Sequence, residues 1–382
     1  MDPVRVLHIT ETLDAAGIET FLMNLYNGVD CSQVQFDFLT LRNRKEFYEE
    51  LIANRGGNKF SINANQTNTI VKVISENIGI AKFLKENKYD IVHFHFTTPL
   101  RAIHLIPPYR YGAKIRIYHS HTANVIGKSR LKMVVYSLLK KIISKYANNY
   151  FACSVPAAEW MFERSIVKNN EYTVVHNGID TEKFKFSQEA RESIRKELGI
   201  TSEKVIIHVG RFSKEKNHIF LVEIFRRLVE IDSDYRLVLI GDGTLFAEIA
   251  GIIDTYHLKD YVFMLGVRNN IGDYLSAADC FVMPSLFEGL PVSVIEAQCN
   301  GLPCVLSASI PREVKLCEDV MFLETTCSDE WINTIMSLNF DTKYRIEKKD
   351  IVREKGYDII DVAKKLQMFY LEKSSRKFYE NK

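Results

Sequence analysis

The chain has 382 residues, of which 46% are hydrophobic, and this predicts two globular domains that each bury a core. A net charge of +2 argues against a nucleic-acid-binding protein, so we expect no nucleic-acid partner. Seven scattered cysteines, an odd number, favour reduced thiols over a disulfide framework. Because the sequence has neither a signal-peptide pattern nor a membrane-spanning apolar stretch, we expect a cytoplasmic protein.

Strand and helix patterns alternate along the whole chain. The first set of strand patterns covers Val4–Ile9, Phe36–Leu41, Ile91–Phe96, Ile115–His119 and Tyr150–Ser154. The second set covers Val205–Gly210, Arg236–Ile240, Tyr261–Leu265, Cys280–Pro284 and Pro303–Ser307. Two such sets predict an α/β protein with two doubly wound, Rossmann-like parallel sheets facing a cleft, with ligands beyond the carboxyl ends of the strands.

The first strand leads into a loop of small residues, 14–18, that enters a helix. A bulky side chain at Gly17 would keep a sugar phosphate away from the backbone amides. From the loop alone, a plain strand-to-helix turn is an equal alternative.

Two strands of the first set carry alternating histidines. The strand 115–119 brings His119, and His121 beyond it, to the carboxyl edge of the sheet. His93 and His95 share one face of another strand because side chains alternate with period two. A metal pair is conceivable there, but histidines of a core or cleft wall are more common, and no cysteine or carboxylate is near in sequence. We expect no metal.

Residues 128–145 combine an apolar stripe at helical spacing with a cluster of lysines and an arginine. The stripe consists of Leu131, Val134, Val135, Leu138, Leu139 and Ile142. One interpretation is a helix packed on the core with a solvated basic side. The other is a basic surface that contacts anionic lipid.

A strand breaks at Asn177-Gly178, which predicts a domain boundary there. We therefore expect a first domain over residues 1–178 and a second over 179–358. The segment that follows is amphipathic from Ile359 to Leu371 and predicts a terminal helix within 359–382.

The second domain contains two strands that each run into a glycine. After the first, Gly210 precedes Arg211 and Lys216, and these cations suit a diphosphate because Arg can bind two phosphate oxygens and Lys adds a mobile charge. Without a ligand role they would be solvated surface charges. After the second, Gly241 begins a Gly-x-Gly turn, but Phe246 stands where a dinucleotide fingerprint needs a glycine, which disfavours a dehydrogenase.

The most informative segment, residues 287–297, places Glu288 and Glu296 around a glycine and a helix start. Pro291 suits the first turn of that helix. The amides near Gly289 and Leu290 would lack intrahelical partners and could bind a phosphate. Glu296, two turns inside the helix, suits sugar hydroxyls such as those of a ribose.

These motifs together resemble the retaining glycosyltransferases of the GT-B fold, specifically family 4 (group 1) of the bacterial polysaccharide-biosynthesis type, over nearly the whole chain. The resemblance implies that Glu288 approaches the donor sugar and that Glu296 binds the ribose. Gly289 and Leu290 would present amides to the donor. Arg211 and Lys216 would hold the pyrophosphate in place of a metal.

The resemblance also assigns further donor-site and catalytic roles. The loop at Gly17 would close over the donor phosphate, and His119 would donate a hydrogen bond to a sugar hydroxyl, with His121 in reserve. The terminal helix would pack back on the first domain. The remaining donor-binding positions are Gly210, Gly241, Val267 and Arg268.

By this resemblance the chain is a hexosyltransferase-type enzyme without a cofactor. It would move a sugar from a nucleoside-diphosphate sugar, with UDP expected, to a hydroxyl of a glycan or lipid-linked oligosaccharide in cell-surface, capsular or exopolysaccharide synthesis. Residues 128–145 would allow peripheral contact with the inner face of the membrane. The alternatives are a nucleotide-sugar epimerase of the same fold and a sugar-nucleotide-binding module without catalysis.

Overall fold

The computed structural model describes residues 2–14, 17–62, 64, 66, 68–122 and 130–375, with residues 130 and 131 described by their backbone alone. Two compact units make up the chain. One contains Met1–Gly178 together with Ile359–Lys382, and the other contains Ile179–Asp358.

The sheet of the first unit has seven strands in the order β3-β2-β1-β4-β5-β6-β7, and every neighbouring pair is parallel. The chain direction across the sheet reverses between β1 and β4, which is the switch point of the doubly wound fold. The strands are β1 Val4–Thr10, β2 Val34–Thr40, β3 Lys59–Ser61, β4 Ile91–Phe96, β5 Ile115–Ser120, β6 Asn149–Ala152 and β7 Thr173–Val174.

The second unit repeats this plan with six parallel strands in the order β10-β9-β8-β11-β12-β13. Its switch point lies between β8 and β11. The strands are β8 Lys204–Val209, β9 Tyr235–Ile240, β10 Val262–Met264, β11 Cys280–Met283, β12 Cys304–Ser307 and β13 Val320–Leu323.

Helices connect the strands in both units. Up to the unit boundary they are α1 Gly17–Gly28, α2 Glu49–Asn54, α3 Thr69–Glu86, α4 Ile106–Arg110, α5 Arg130–Tyr146, α6 Val155–Met161 and α7 Arg164–Lys168. Beyond it they are α8 Thr181–Phe184, α9 Gln188–Glu197, α10 His218–Ile231, α11 Phe246–Thr255, α12 Ile271–Ala277, α13 Val292–Cys299, α14 Ser328–Met336, α15 Lys348–Val352 and α16 Ile359–Ser375.

The central strands are buried on both faces, as in other parallel sheets covered by helices. All seven residues of β2 are buried, for example, and so are all six of β4. The ten strands of the two predicted sets are all present, and β7 lies in the strand predicted before Asn177, whereas the three-residue β3 and the four-residue β13 were missed. Both are short edge strands whose few residues give little periodicity.

The terminal helix α16 packs against α1 within the first unit. A Cβ atom added at Gly28 would lie 2.7 Å from Cβ of Ala363, so the glycine permits this close approach. From α16, Tyr370 reaches the buried face of the sheet, where its hydroxyl bonds Nδ1 of His93 at 2.7 Å. No helix among the described residues combines the length and the apolar character needed to cross a bilayer.

Candidate active site

The carboxyl edge of the second sheet brings two of the predicted motifs together. Gly210 follows β8, and the loop with Glu288 follows β11. Since β8 and β11 are hydrogen-bonded neighbours, with Ile207 paired to Phe281, the two loops leave the sheet side by side at its switch point.

Two hydrogen bonds join these loops. The side-chain amide of Asn217 donates to the carbonyl of Pro284 at 3.2 Å, and the amide of Leu286 donates to the carbonyl of Glu215 at 2.7 Å. Asn217 adopts a left-handed conformation, with φ of 56°, between a short turn of 3₁₀ helix and α10. This conformation turns the chain so that Lys216 faces the loop after β11.

An ion pair connects the two motifs directly. Nζ of Lys216 lies 2.6 Å from Oε1 of Glu288, and their side chains are 18% and 12% exposed. Partial burial weakens the screening that makes most surface ion pairs ineffective. The structure therefore holds two of the predicted site residues in contact.

Two glycines make room for this arrangement. A Cβ atom at Gly210 would lie 3.0 Å from Nε2 of His208 and 3.3 Å from both Cδ and Cε of Lys216. At Gly241, φ is +138° and a Cβ atom would lie 2.0 Å from the carbonyl oxygen of Gly210. Gly210 thus lets the stem of Lys216 lie against the turn, and Gly241 lets the two turns pack by their backbones.

The start of α13 differs in detail from the prediction. Pro291 occupies the N-cap rather than the first turn, and Glu296 is the fifth helical residue, about one turn inside rather than two. Among the described residues, the amides of Gly289 and Leu290 donate to no acceptor. They are therefore available to an anion, as predicted for a phosphate.

The environment of Glu296 favours its protonated form. Desolvation by burial raises the pKa of its carboxyl to about 7, while the charge of Lys183 acts in the opposite direction. A ligand hydroxyl that donated to this carboxylate would favour the charged form.

Three predicted donor-site residues are exposed at the same sheet edge. Arg211 directly follows Gly210, and Val267 and Arg268 follow β10. Val267 is 72% exposed. The donor-binding roles of these three residues stay predictions, because each role consists of a contact with a ligand.

In the first unit, Gly17 is exposed at the start of α1, and a Cβ atom there would meet nothing within 4 Å. The predicted need for glycine therefore does not come from packing against the part of the chain that the structure describes. Ala15 and Ala16, which precede it in the predicted phosphate loop, lie outside the described residues.

The structure places His119 deeper than predicted. It is the penultimate residue of β5, is 0% exposed, and packs among aromatic rings that include Phe21 and Phe151. Desolvation holds its pKa well below the ordinary value. His121, the reserve candidate, lies just beyond the strand and is 8% exposed. The catalytic role of His119 remains a prediction, but the ring nearer the sheet edge is that of His121.

The sequence analysis missed a network of histidines on one face of the first sheet. The distance from Nδ1 of His8 to Nε2 of His95 is 2.9 Å, and the distance from Nδ1 of His95 to Nε2 of His121 is also 2.9 Å. Nδ1 of His121 lies 3.4 Å from Oδ1 of Asn177. A signal was present in part, since His93 and His95 alternate along β4, and His119 and His121 alternate at the end of β5.

This network also has the spacing of a metal site. The ligand nitrogens of His8, His93 and His95 lie within 4.8 Å of one another, as do those of His95, His119 and His121. The sequence pattern suggested a metal pair at His93 and His95 only. In the structure, hydrogen bonds link His8, His95 and His121.

Helix α5 combines both interpretations of residues 128–145. Its second half packs on the core through residues that include Leu139, Ile142 and the buried Ile143. In its first half Tyr136 also packs against the core, but four other large apolar side chains are 41–58% exposed. We call these four residues the α5 apolar face: Met133, Val134, Val135 and Leu138. The exposure of Val134, Val135 and Leu138 does not fit the interpretation in which the whole stripe packs on the core. Lys128 and Ser129 lie outside the described residues.

Two family profiles match successive parts of the chain. "Glycosyltransferase Family 4" matches residues 15–183, and "Glycosyl transferases group 1" matches residues 190–347. EpsF of Bacillus subtilis (strain 168), which bears the name of a glycosyltransferase, is 36% identical over 317 residues, or 81% of this chain and 80% of EpsF.

More distant similarities agree with these matches. A UDP-Gal:α-D-GlcNAc-diphosphoundecaprenol α-1,3-galactosyltransferase of Escherichia coli is 28% identical over 80% of this chain and 81% of its own. The structure of Anabaena HepE in complex with UDP superimposes with a TM-score of 0.77 at 16% identity, covering 96% of this chain and 99% of HepE. That structural likeness shows the GT-B fold. On these matches, the chain belongs to the group 1, family 4 glycosyltransferases.

Proposed function

We propose that this glycosyltransferase moves a sugar from a UDP-sugar to a hydroxyl of a glycan or lipid-linked oligosaccharide, with retention of configuration and without a metal. The observation that carries this proposal is the ion pair between Lys216 and Glu288 at the switch point of the second sheet. It puts a cation for the donor diphosphate next to a carboxylate for the donor sugar.

The proposed chemistry is stabilisation of charge on the leaving group. The bond between the sugar and the diphosphate breaks, and negative charge grows on the phosphate oxygens. Lys216, Arg211 and the amides of Gly289 and Leu290 offset that charge. The acceptor hydroxyl attacks from the face that the diphosphate leaves, and a phosphate oxygen takes its proton.

Glu296 is proposed to accept hydrogen bonds from the ribose hydroxyls of the donor. Its pKa, raised to about 7 by burial, makes this role sensitive to pH, because ribose binding requires the carboxylate. The exposed Val267 and Arg268 are proposed to contact the base.

The proposal of a UDP donor is supported by the names of two similar proteins. The E. coli relative is named for transfer from UDP-Gal to a diphosphoundecaprenol-linked sugar, and HepE was solved with UDP. A third relative, CapH of Staphylococcus aureus, is named for capsular polysaccharide biosynthesis. We therefore place this chain in the synthesis of a cell-surface polysaccharide.

For the first unit, we propose that a histidine binds a hydroxyl of a sugar substrate. The sequence pattern suggested His119, but the position of His121 beyond the end of β5, with 8% of its surface exposed against 0% for His119, supports His121 for this role. Gly17 is proposed to let a phosphate approach the start of α1.

A peripheral membrane contact through α5 would suit a lipid-linked acceptor. The α5 apolar face stands beside the exposed Lys132 and Lys141, a combination typical of helices that lie on anionic bilayers. Beside this helix, a cavity of 670 Å³ is lined by side chains of α5, α6 and α7, including Met133 and Trp160.

The test is thermal unfolding with UDP, GDP, ADP or NAD in the presence of a chelator, for the native chain and Glu296→Ala. A ligand that binds the folded state raises the unfolding temperature. We expect stabilisation by UDP that Glu296→Ala reduces. Stabilisation by NAD alone, or by none of the four, would contradict the proposal. Release of an isomerised sugar without an acceptor would identify an epimerase instead.

A further inference from the structure

Five histidines and one tyrosine gather on one face of the first sheet, at its switch point. His8 pairs in register with His93 across β1 and β4, and His95 pairs with His119 across β4 and β5. Burial keeps the imidazoles uncharged, since desolvation lowers the pKa of His8 to about 3 and that of His121 to about 4. Hydrogen bonds between these rings therefore join neutral groups.

Each hydrogen bond between two neutral imidazoles requires one nitrogen that donates and one that accepts. Asn177 offers its carbonyl oxygen Oδ1 to His121, so Nδ1 of His121 is the donor. Nε2 of His121 must then accept, and Nδ1 of His95 donates to it. Nε2 of His95 accepts in turn from Nδ1 of His8.

The His8 end of this series of hydrogen bonds requires the same donor-to-acceptor direction. Nε2 of His8 is buried and has no hydrogen-bond partner among the described residues. If the donors and acceptors in this series were exchanged, Nε2 of His8 would carry the hydrogen. A buried N–H group without a partner raises the free energy of the folded state. Both ends therefore favour the Nδ1–H form of all three histidines.

We propose that His8 and His95 are positioning residues that lock His121 in its Nδ1–H tautomer, so that His121 offers a hydrogen-bond donor to a sugar oxygen. The bond from Nδ1 to Asn177 is long, at 3.4 Å, and a substrate oxygen can replace it. With Nε2 occupied by His95, His121 cannot act as a general base through that nitrogen. The inference rests on the proposed function in giving His121 a sugar ligand.

Two substitutions of nearly equal volume separate the two bonds of His95. In His95→Asn, the amide nitrogen can stand where Nδ1 stood and still donate to His121. In His95→Gln, the longer amide reaches towards His8 and leaves His121 without its donor. Both variants lose the same buried ring, so they share any general cost in stability.

The first readout is the tautomer of His121, from ¹H–¹⁵N spectra of imidazole-labelled protein in chelator, assigned with His121→Gln. We expect the Nδ1–H form in the native chain and in His95→Asn, and a mixture of both forms in His95→Gln. An Nε2–H form in the native chain would overturn the proposal. This measurement needs no substrate, so it tests the tautomer of His121 even if the proposed sugar donor is wrong.

The second readout is turnover of the sugar donor. We expect His95→Asn to keep kcat within about threefold of the native value and His95→Gln to lose at least about tenfold, with similar unfolding temperatures for the two variants. Equal losses of kcat in both variants would show a merely structural role for His95 and overturn the proposal.

Discussion

The two sheets share one connectivity at their centres but carry opposite chemistry there. In the first, the switch point between β1 and β4 is lined by neutral, buried histidines in a hydrogen-bonded chain. In the second, the switch point between β8 and β11 carries an ion pair, and the amides of Gly289 and Leu290 beside it donate to no acceptor among the described residues. Both sheets present the carboxyl ends of their central strands in the same way, and we call these regions the first edge and the second edge. The side chains at each edge determine which ligand it can bind.

The difference follows from how each edge treats charge. At the switch point of the first sheet, His95 and the neighbouring histidines are buried and neutral, so these side chains offer directed hydrogen bonds. The second keeps Lys216 and Glu288 partly exposed, at 18% and 12%, so both can remain charged and still meet a ligand. A diphosphate is suited to the second edge and a neutral sugar to the first.

Loss of the cation at the second edge is expected to have the largest effect. Lys216→Ala should lower kcat by about 100-fold or more, because the negative charge on the leaving diphosphate loses a neighbouring cation. The donor is the one that thermal unfolding with nucleotides selects. The unfolding temperature should change by only about 3 °C, because a partly exposed ion pair contributes little stability. UDP release from the UDP-sugar measures kcat.

Lys214→Ala is the matched control, since Lys214 carries the same charge two residues earlier in the same turn and is exposed. Its kcat should stay near the native value. Equal kcat values for Lys216→Ala and the native chain would show that Lys216 takes no part in catalysis.

A smaller effect is expected from a single methyl group at the same edge. In Gly210→Ala, the new Cβ atom would press on His208 Nε2 and on the stem of Lys216, so the lysine must shift. If Lys216 acts in catalysis as proposed, its displacement should lower kcat by about tenfold. Gly251→Ala in α11 is the control, since a Cβ atom there meets nothing within 4 Å, and native activity is expected. If Gly210→Ala also kept native activity, the position of the Lys216 stem would not matter.

The sequence predicted the second edge better than the first, and the reason is physical. Gly210, Lys216 and Glu288 lie in two short motifs, each recognisable by its own strand and glycine. The histidine chain instead depends on which strands become neighbours, and no local pattern reveals that His8 meets His95. The same limit explains α5, where helical spacing identified the stripe but could not tell which part of it the core would cover.

Membrane contact through α5 gives the next prediction in size. Each lysine near an anionic surface contributes about 1 kcal/mol, so Lys141→Ala should weaken binding to vesicles of phosphatidylglycerol and phosphatidylcholine about fivefold. Lys85→Ala, an exposed lysine on α3 in the same unit, is the control for net charge. Sedimentation with the vesicles measures the binding. Equal weakening by the two variants would indicate a general charge effect and no specific α5 surface.

The smallest expected effect concerns the cost of Glu296 in the absence of ligand. Its pKa is raised by burial from the model-peptide value of 4.5 to about 7, so the folded state binds more protons than the unfolded state between these values. Stability should therefore fall as pH rises from about 4.5 to 7, and the cost remains above pH 7. Glu296→Gln should raise the unfolding temperature by about 2 °C at pH 8 and leave it nearly unchanged at pH 4.

The same substitution should weaken UDP binding, which separates a functional carboxylate from a merely unfavourable one. Thermal unfolding at pH 4 and pH 8, with and without UDP, tests both parts. A variant that was no more stable than the native chain at pH 8 would contradict the assigned environment of Glu296.

Calorimetric titration with UDP and with uridine, in chelator, tests most directly that the second edge binds a nucleoside diphosphate through Lys216. We expect UDP to bind the native chain at least about 100-fold more tightly than uridine, which lacks the phosphates. Lys216→Ala should lose most of this difference, and Lys214→Ala should keep it. Equal affinities of the native chain for UDP and uridine, or an unchanged Kd for UDP in Lys216→Ala, would contradict the account.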